Sequence, residues 1–191
     1  MFIYVVYTFI AIIVFIISIN YLRKLHWDAI HLNLLNLADE IKGEIYRRNF
    51  MARPVFHGKY KGYELTINFS SERSKSGRNN YIDISINKKV MKPFTISSFE
   101  WLKERNDSSL DEYKEMKISG EMKYGIRKGS PKLFSEDIIQ SIQKLHPFNF
   151  IFAGGTGVLM EIQCKNTAIT TKHPYLKERI ELLYSFLKAI E

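Results

Sequence analysis

The first 22 residues, Met1 to Leu22, contain no Asp, Glu, Lys, Arg or His. A buried core helix rarely lacks a polar face over so many residues. The stretch also lacks the positive start, short apolar run and small-x-small cleavage site of a cleaved signal peptide. Cysteine is nearly absent. With Cys164 alone, an internal disulfide and a paired-thiol metal or redox site are excluded, which suits a reducing compartment. There is no Gly-x-x-x-x-Gly-Lys-Ser/Thr, no His-Glu-x-x-His and no Gly-x-Ser-x-Gly. The best-known phosphate-loop, zinc-protease and serine-hydrolase chemistries therefore have no motif here. No aromatic residue lies between Ser70 and Asn80, so the basic stretch there has no stacking platform and nucleic acid is not an expected partner. Internal repeats and low-complexity tracts are missing too.

What is present starts with the uncharged run itself. As a helix it is about 33 Å long, enough to cross a hydrocarbon layer of about 30 Å. Only a helix can expose that much backbone to lipid, because its polar groups bond within the segment. Phe2, Tyr4 and Tyr7 at one end and Tyr21 at the other suit the headgroup zones. Arg23 and Lys24 follow directly, then Trp27; these three are the expected membrane-interface residues. Positive flanks stay in the cytoplasm. The expected topology is a single-pass protein of the inner (plasma) membrane, its N-terminus outside and its C-terminal part cytoplasmic.

All 28 Lys and Arg and all 20 Asp and Glu lie beyond residue 22, so that part carries the whole +8. It has the length of one domain able to bury its own core. The expected division is a transmembrane anchor, 1–22, and a soluble α+β domain, 23–191. Within the domain, 23–53 reads as a juxtamembrane amphipathic helix, 54–172 as mainly strands with one internal helix, and 173–191 as a C-terminal helix.

The stripe Ile30, Leu34, Leu37, Ile41, Ile45 recurs at helical spacing and predicts a helix over 28–50, with Asp28 at its start and Arg47 and Arg48 near its end. Pro54 breaks it. Val55–Lys59 and Tyr63–Ser70 read as a hairpin, and Ile82, Ile84 and Ile86 alternate in a further strand. The polar, basic stretch 70–80 reads as a long mobile connection. Ser98 and Ser135 mark helix starts, and Thr167–Thr171 reads as a strand. Phe150 and Phe152, then Gly154-Gly155-Thr156-Gly157, then Val158, Met160 and Ile162 make the clearest hairpin. Pro174 opens a last helix with the stripe Leu176, Ile180, Leu183, Leu187, Ile190. Strands adjacent in sequence and joined by short turns predict the α+β class, with an antiparallel sheet packed by the N- and C-terminal amphipathic helices.

One N-terminal span, an amphipathic Leu/Ala helix and the segment Gly58-Lys59-Tyr60-Lys61-Gly62-Tyr63 opening a strand are found together here. In this the chain resembles uncharacterised single-pass membrane-anchored proteins of bacteria. That resemblance covers most of the chain, implies no activity and carries over no functional residue.

Candidate chemistry is sparse. His26, Asp28 and His31 cluster beside the span, but the two histidines are five apart, the wrong spacing for a metal pair on one helix face. Cys164 falls on the apolar side of its strand, as a small core residue would. No catalytic residue, cofactor or metal is expected. Arg73, Lys75 and Arg78 are the candidate contacts to an anionic surface, and Lys88, Lys89 and Lys92 would extend that patch if they lie beside it. The expected partners are the bilayer, anionic lipid headgroups, and a membrane or cytoplasmic protein. Two function classes stay open: a membrane-tethered cytoplasmic binding or scaffold module, and a membrane-anchored enzyme with an unfamiliar site, which would require a deep polar pocket.

Overall fold

One unbroken helix, α1 (Phe2–Ile41), opens the chain. The computed structural model describes residues 2–74, 77–105, 110–119, 122–129 and 134–191. Every side chain from Ile3 to Ile19 is exposed, and among the described residues this is the one helix long and apolar enough to cross a membrane. Past Arg23 the same helix turns a stripe inward. Trp27, Ile30, Leu34 and Leu37 are buried, while Leu32 and Leu35 on the opposite side stay exposed. The apolar run and the amphipathic stripe are thus two halves of one rod.

The rod stops earlier than its stripe predicts. Lys42 adopts φ 51°, and the N–H of Gly43 returns to the Ala38 carbonyl at 2.9 Å, closing the helix with a left-handed residue. A Cβ on Gly43 would lie 2.3 Å from the Phe56 ring, so only glycine lets the chain turn beneath the sheet. Ile45 packs on the core from strand β1 (Glu44–Tyr46) rather than from the helix. Asp28 lies inside α1 and caps nothing; its carboxylate takes Arg47 at 2.5 Å and Lys24 at 3.8 Å.

The remaining strands are β2 (Val55–Tyr60), β3 (Tyr63–Ser74), β4 (Gly77–Asn87), β5 (Phe94–Ser98), β6 (Lys114–Ser119), β7 (Met122–Arg127), β8 (Phe150–Gly154) and β9 (Gly157–Gln163). All nine form one antiparallel sheet in the order β1-β2-β3-β4-β9-β8-β5-β7-β6. The stretch 70–80 is not a long connection. β3 and β4 stay in register until Ser74 meets Gly77, because a paired backbone ladder needs no apolar side chains to continue. At the β8–β9 turn Gly157 has φ 131°, and a Cβ there would lie 2.3 Å from the Ile86 carbonyl oxygen.

Helices α3 (Glu136–Leu145) and α5 (His173–Ala189) join the inner half of α1 on one face of the sheet, over Leu65, Ile67, Ile84, Ile96, Ile151 and Met160. Ser135 caps α3 by accepting from the Ile138 N–H at 3.5 Å. The buried Arg179 of α5 donates to the carbonyls of Leu145 and His146 at 2.9 and 3.1 Å, tying the end of α3 to α5. A short helix, α2 (Phe99–Glu104), covers part of the other face, where Trp101 packs 5.3 Å from Phe150. Thr167–Thr170 is a helical turn, α4, not a strand; the β-branched run is overruled by main-chain bonds from Thr170 to Asn166 and Thr171 to Thr167 and by Asn33 of α1 donating to Thr171 Oγ1 at 2.8 Å. The class is α+β.

Candidate functional site

Three polar features stand out, and α1 sets the frame for them. Its inner half runs along β3: the Trp27 ring lies 6.5 Å from that of Phe69, while Gly43, past the helix end, lies beside Gly58, which pairs with Leu65. From Leu65 toward Ser74, β3 therefore heads the same way as α1 does toward its exposed apolar half. Phe69 and Ser71 of β3 stand near Trp27, where the two halves of α1 meet, joined to it through Arg53.

This end of β3 is cationic. Arg53 lies 5.7 Å from the Trp27 ring, donates to the Phe69 carbonyl at 3.1 Å and shares the Ser71 hydroxyl with Arg78. Arg73 pairs in register with Arg78. Burial, then the charges of Arg78 and Arg23, push the Arg53 guanidinium below its ordinary pKa, with Asp83 opposing. Arg23, Arg53, Arg73 and Arg78 have no ionic partner within 4.0 Å among the described residues. The nearest acid in sequence, Glu72, is taken by Arg105 at 3.1 Å. Crowded arginines of this kind stabilise an external anion, because it relieves their mutual repulsion.

The second feature lies on the sheet face opposite the main helices. Asp83 and Glu161 are directly opposed on β4 and β9. Burial pushes the Glu161 carboxyl up to about 7, with the Asp83 charge adding, while Asn149 Nδ2 donates to it at 2.9 Å and opposes the shift. Burial raises Asp83 as well.

The third is a cavity of about 520 Å³ at the far end of β4. The β4–β5 connection, the residues after β7, the start of α3 and the end of α5 enclose it. Val90, Met91, Phe94, Phe134, Ile138 and Ile190 give it an apolar lining, Met91 from an exposed position, with the Phe94 and Phe134 rings edge-to-face at 5.2 Å. Lys88, Lys89, Lys92 and Lys128 stand at its rim. Glu191 is engaged by Lys88 at 3.5 Å and Lys188 at 2.7 Å, leaving Lys89, Lys92 and Lys128 without an ionic partner among the described residues.

Of the residues singled out from sequence, Arg73 and Arg78 do come together, Trp27 and Arg23 lie by Arg53, which shares Ser71 with Arg78, and Lys24 turns to Asp28. Lys75 lies outside the described residues. The turn Lys88–Lys92 does not extend this patch. Nine residue steps of β4 separate Arg78 from Asn87, just before Lys88, about 30 Å in a strand. Sequence reading missed Arg53, whose place depends on a loop folding back across Trp27, and missed the cavity, which four distant segments build. His26 sets its ring edge-on to Trp27 at 4.8 Å, and Cys164 lies in the core.

No family model and no curated protein matches the chain. A solved structure does: the mycobacterial trehalose monomycolate transport factor A, TtfA, with a TM-score of 0.55 at 11% identity, over 85% of this chain and 94% of that one. At that identity the likeness is one of fold.

Proposed function

We propose that this chain is a single-pass, membrane-anchored binding module related to lipid handling. Residues 1–22 are its anchor, and residues 23–191 form one cytoplasmic α+β domain that rests its arginine end on the anionic inner leaflet. The observation that carries the reading is the continuity of α1, whose exposed apolar half and buried half are one helix. A domain sharing a helix with its own anchor has its orientation set by that helix. In that pose Arg23, Arg53, Arg73 and Arg78 face the headgroups. Each such charge near the surface contributes about 1 kcal/mol at most. The anchor supplies the attachment, so the arginines orient the domain rather than recruit it. The likeness in fold to a transport factor for trehalose monomycolate supports a lipid-related role.

The test uses the full chain in nanodiscs, with Cys164→Ser and a single fluorescent cysteine at Asn79→Cys or Met91→Cys. Headgroup-labelled quencher lipid should quench the first strongly and the second weakly in anionic discs. The first signal should weaken in neutral discs, at 1 M salt, where screening shortens to about 3 Å, and in Arg73→Ser, Arg78→Ser. Equal quenching at the two positions would overturn the reading.

A further inference from the structure

We propose that the lysine-rimmed cavity binds the acyl chain of a free, single-chain anionic lipid, with Lys89, Lys92 and Lys128 holding the head. This deepens the lipid-related reading above, on which it rests for the ligand class; the site stands on its own geometry. A volume of about 520 Å³ falls in the range of small-molecule sites, about 300–1,000 Å³. Most of its lining surface is apolar, from aliphatic and aromatic side chains that favour an apolar guest and offer no partner to a polar one. An acidic peptide would leave its amides unpaired against that lining. An acyl chain has no such groups.

The rim supplies the other half of the match. Glu191 is already held by Lys88 and Lys188, so the remaining three lysines carry charge that the described residues do not balance. An ammonium acts as a compact, hydrated point charge and does not demand the two-oxygen geometry that a guanidinium fork does. It serves a carboxylate or a phosphate head at a solvent-facing rim. The length of β4 separates this cavity from the arginine end by about 30 Å. A lipid still embedded in the bilayer that the arginines would touch does not reach it. The occupant is therefore a monomer outside the bilayer, which a single-chain amphiphile can be and a two-chain phospholipid rarely is.

The experiment takes the full chain in neutral phosphatidylcholine nanodiscs with a photoactivatable, clickable palmitate, and maps adducts by peptide mass spectrometry. Adducts are expected on the peptides carrying Met91, Phe94 and Phe134, and also on residues 3–22, which meet any probe dissolved in the bilayer. The variant Lys89→Glu, Lys92→Glu, Lys128→Glu changes only exposed side chains. It should lower the cavity adducts about tenfold and leave those on residues 3–22 unchanged. Untagged palmitate should compete for the cavity, and hexadecanol, which has no charge, should compete at least tenfold less well. Adducts on residues 3–22 alone would overturn the proposal. So would cavity adducts that survive the charge reversal, or that palmitate and hexadecanol displace equally. Cavity labelling is read independently of the arginine end, so its failure leaves the orientation standing; that the occupant is a monomer outside the bilayer rests on that orientation, which the quenching experiment tests.

Discussion

Glu161 is 7% exposed, yet its neighbours are a second carboxylate and one amide donor. Its carboxyl is raised to about 7, against an ordinary 4.5, so the folded chain holds a proton that the unfolded chain gives up earlier. Below about pH 4.5 both states are protonated and nothing is lost. Between 4.5 and 7 the folded state binds more protons, so stability falls as pH rises, and above 7 the full cost is present. That cost is about 3 kcal/mol at most. Glu161→Gln keeps an acceptor for Asn149 and removes the charge. Denaturant midpoints in a pH series should show the variant more stable by about 1–3 kcal/mol at pH 8 and nearly equal to the parent at pH 4.5. The same pH slope in both proteins would remove Glu161 as its source. Asp83, raised in the same direction, leaves a smaller slope of the same sign. Tyr124 illustrates a different outcome of burial. Its phenol is pushed up to about 12 and stays neutral, bonded to His146 Nδ1 at 2.5 Å across the junction of β7 and α3.

Among the elements, α1 decides most. Leu34 and Leu37 are fully buried beneath the sheet, each contributing about 1.5–3 kcal/mol by burial. Leu37→Asp places an unpaired carboxylate there and should cost several kcal/mol, read as a loss of cooperative unfolding near room temperature. Leu32→Asp, on the exposed side of the same helix, should cost less than about 0.5 kcal/mol. Equal effects would mean that α1 is a stalk rather than part of the core. The helical stripe was legible because a 3.6-residue period over Ile30, Leu34 and Leu37 leaves one reading. Its end was not, because Ile45 keeps the period by accident on a strand. The polar arms at 70–74 and 77–80 carry no apolar alternation, so their pairing is invisible to any pattern and follows only from the register set at Leu65–Ile86. Thr167–Thr171 failed for the reverse reason, since its strand-like composition is overruled by contacts with α1.

For the whole molecule, the antiparallel sheet with its three longest helices on one face follows from alternation and short turns, and the class was legible for that reason. The sites were less so. A basic cluster in sequence, Arg73 to Lys92, divides in the fold into two ends of one strand, with arginines at the end nearer Trp27 and lysines around an apolar cavity at the other. Charge totals cannot reveal such a division; it depends on strand length. The central claim is that a single span holds this sheet on the cytoplasmic side of the membrane. The most direct measurement is a pair of reporter fusions after Glu191 in bacterial cells, one active only in the cytoplasm and one only in the periplasm. The account predicts an active cytoplasmic reporter, a silent periplasmic one, and a fusion protein that stays in the membrane pellet after alkaline carbonate washing. A periplasmic signal, or release of the protein into the wash, would contradict it.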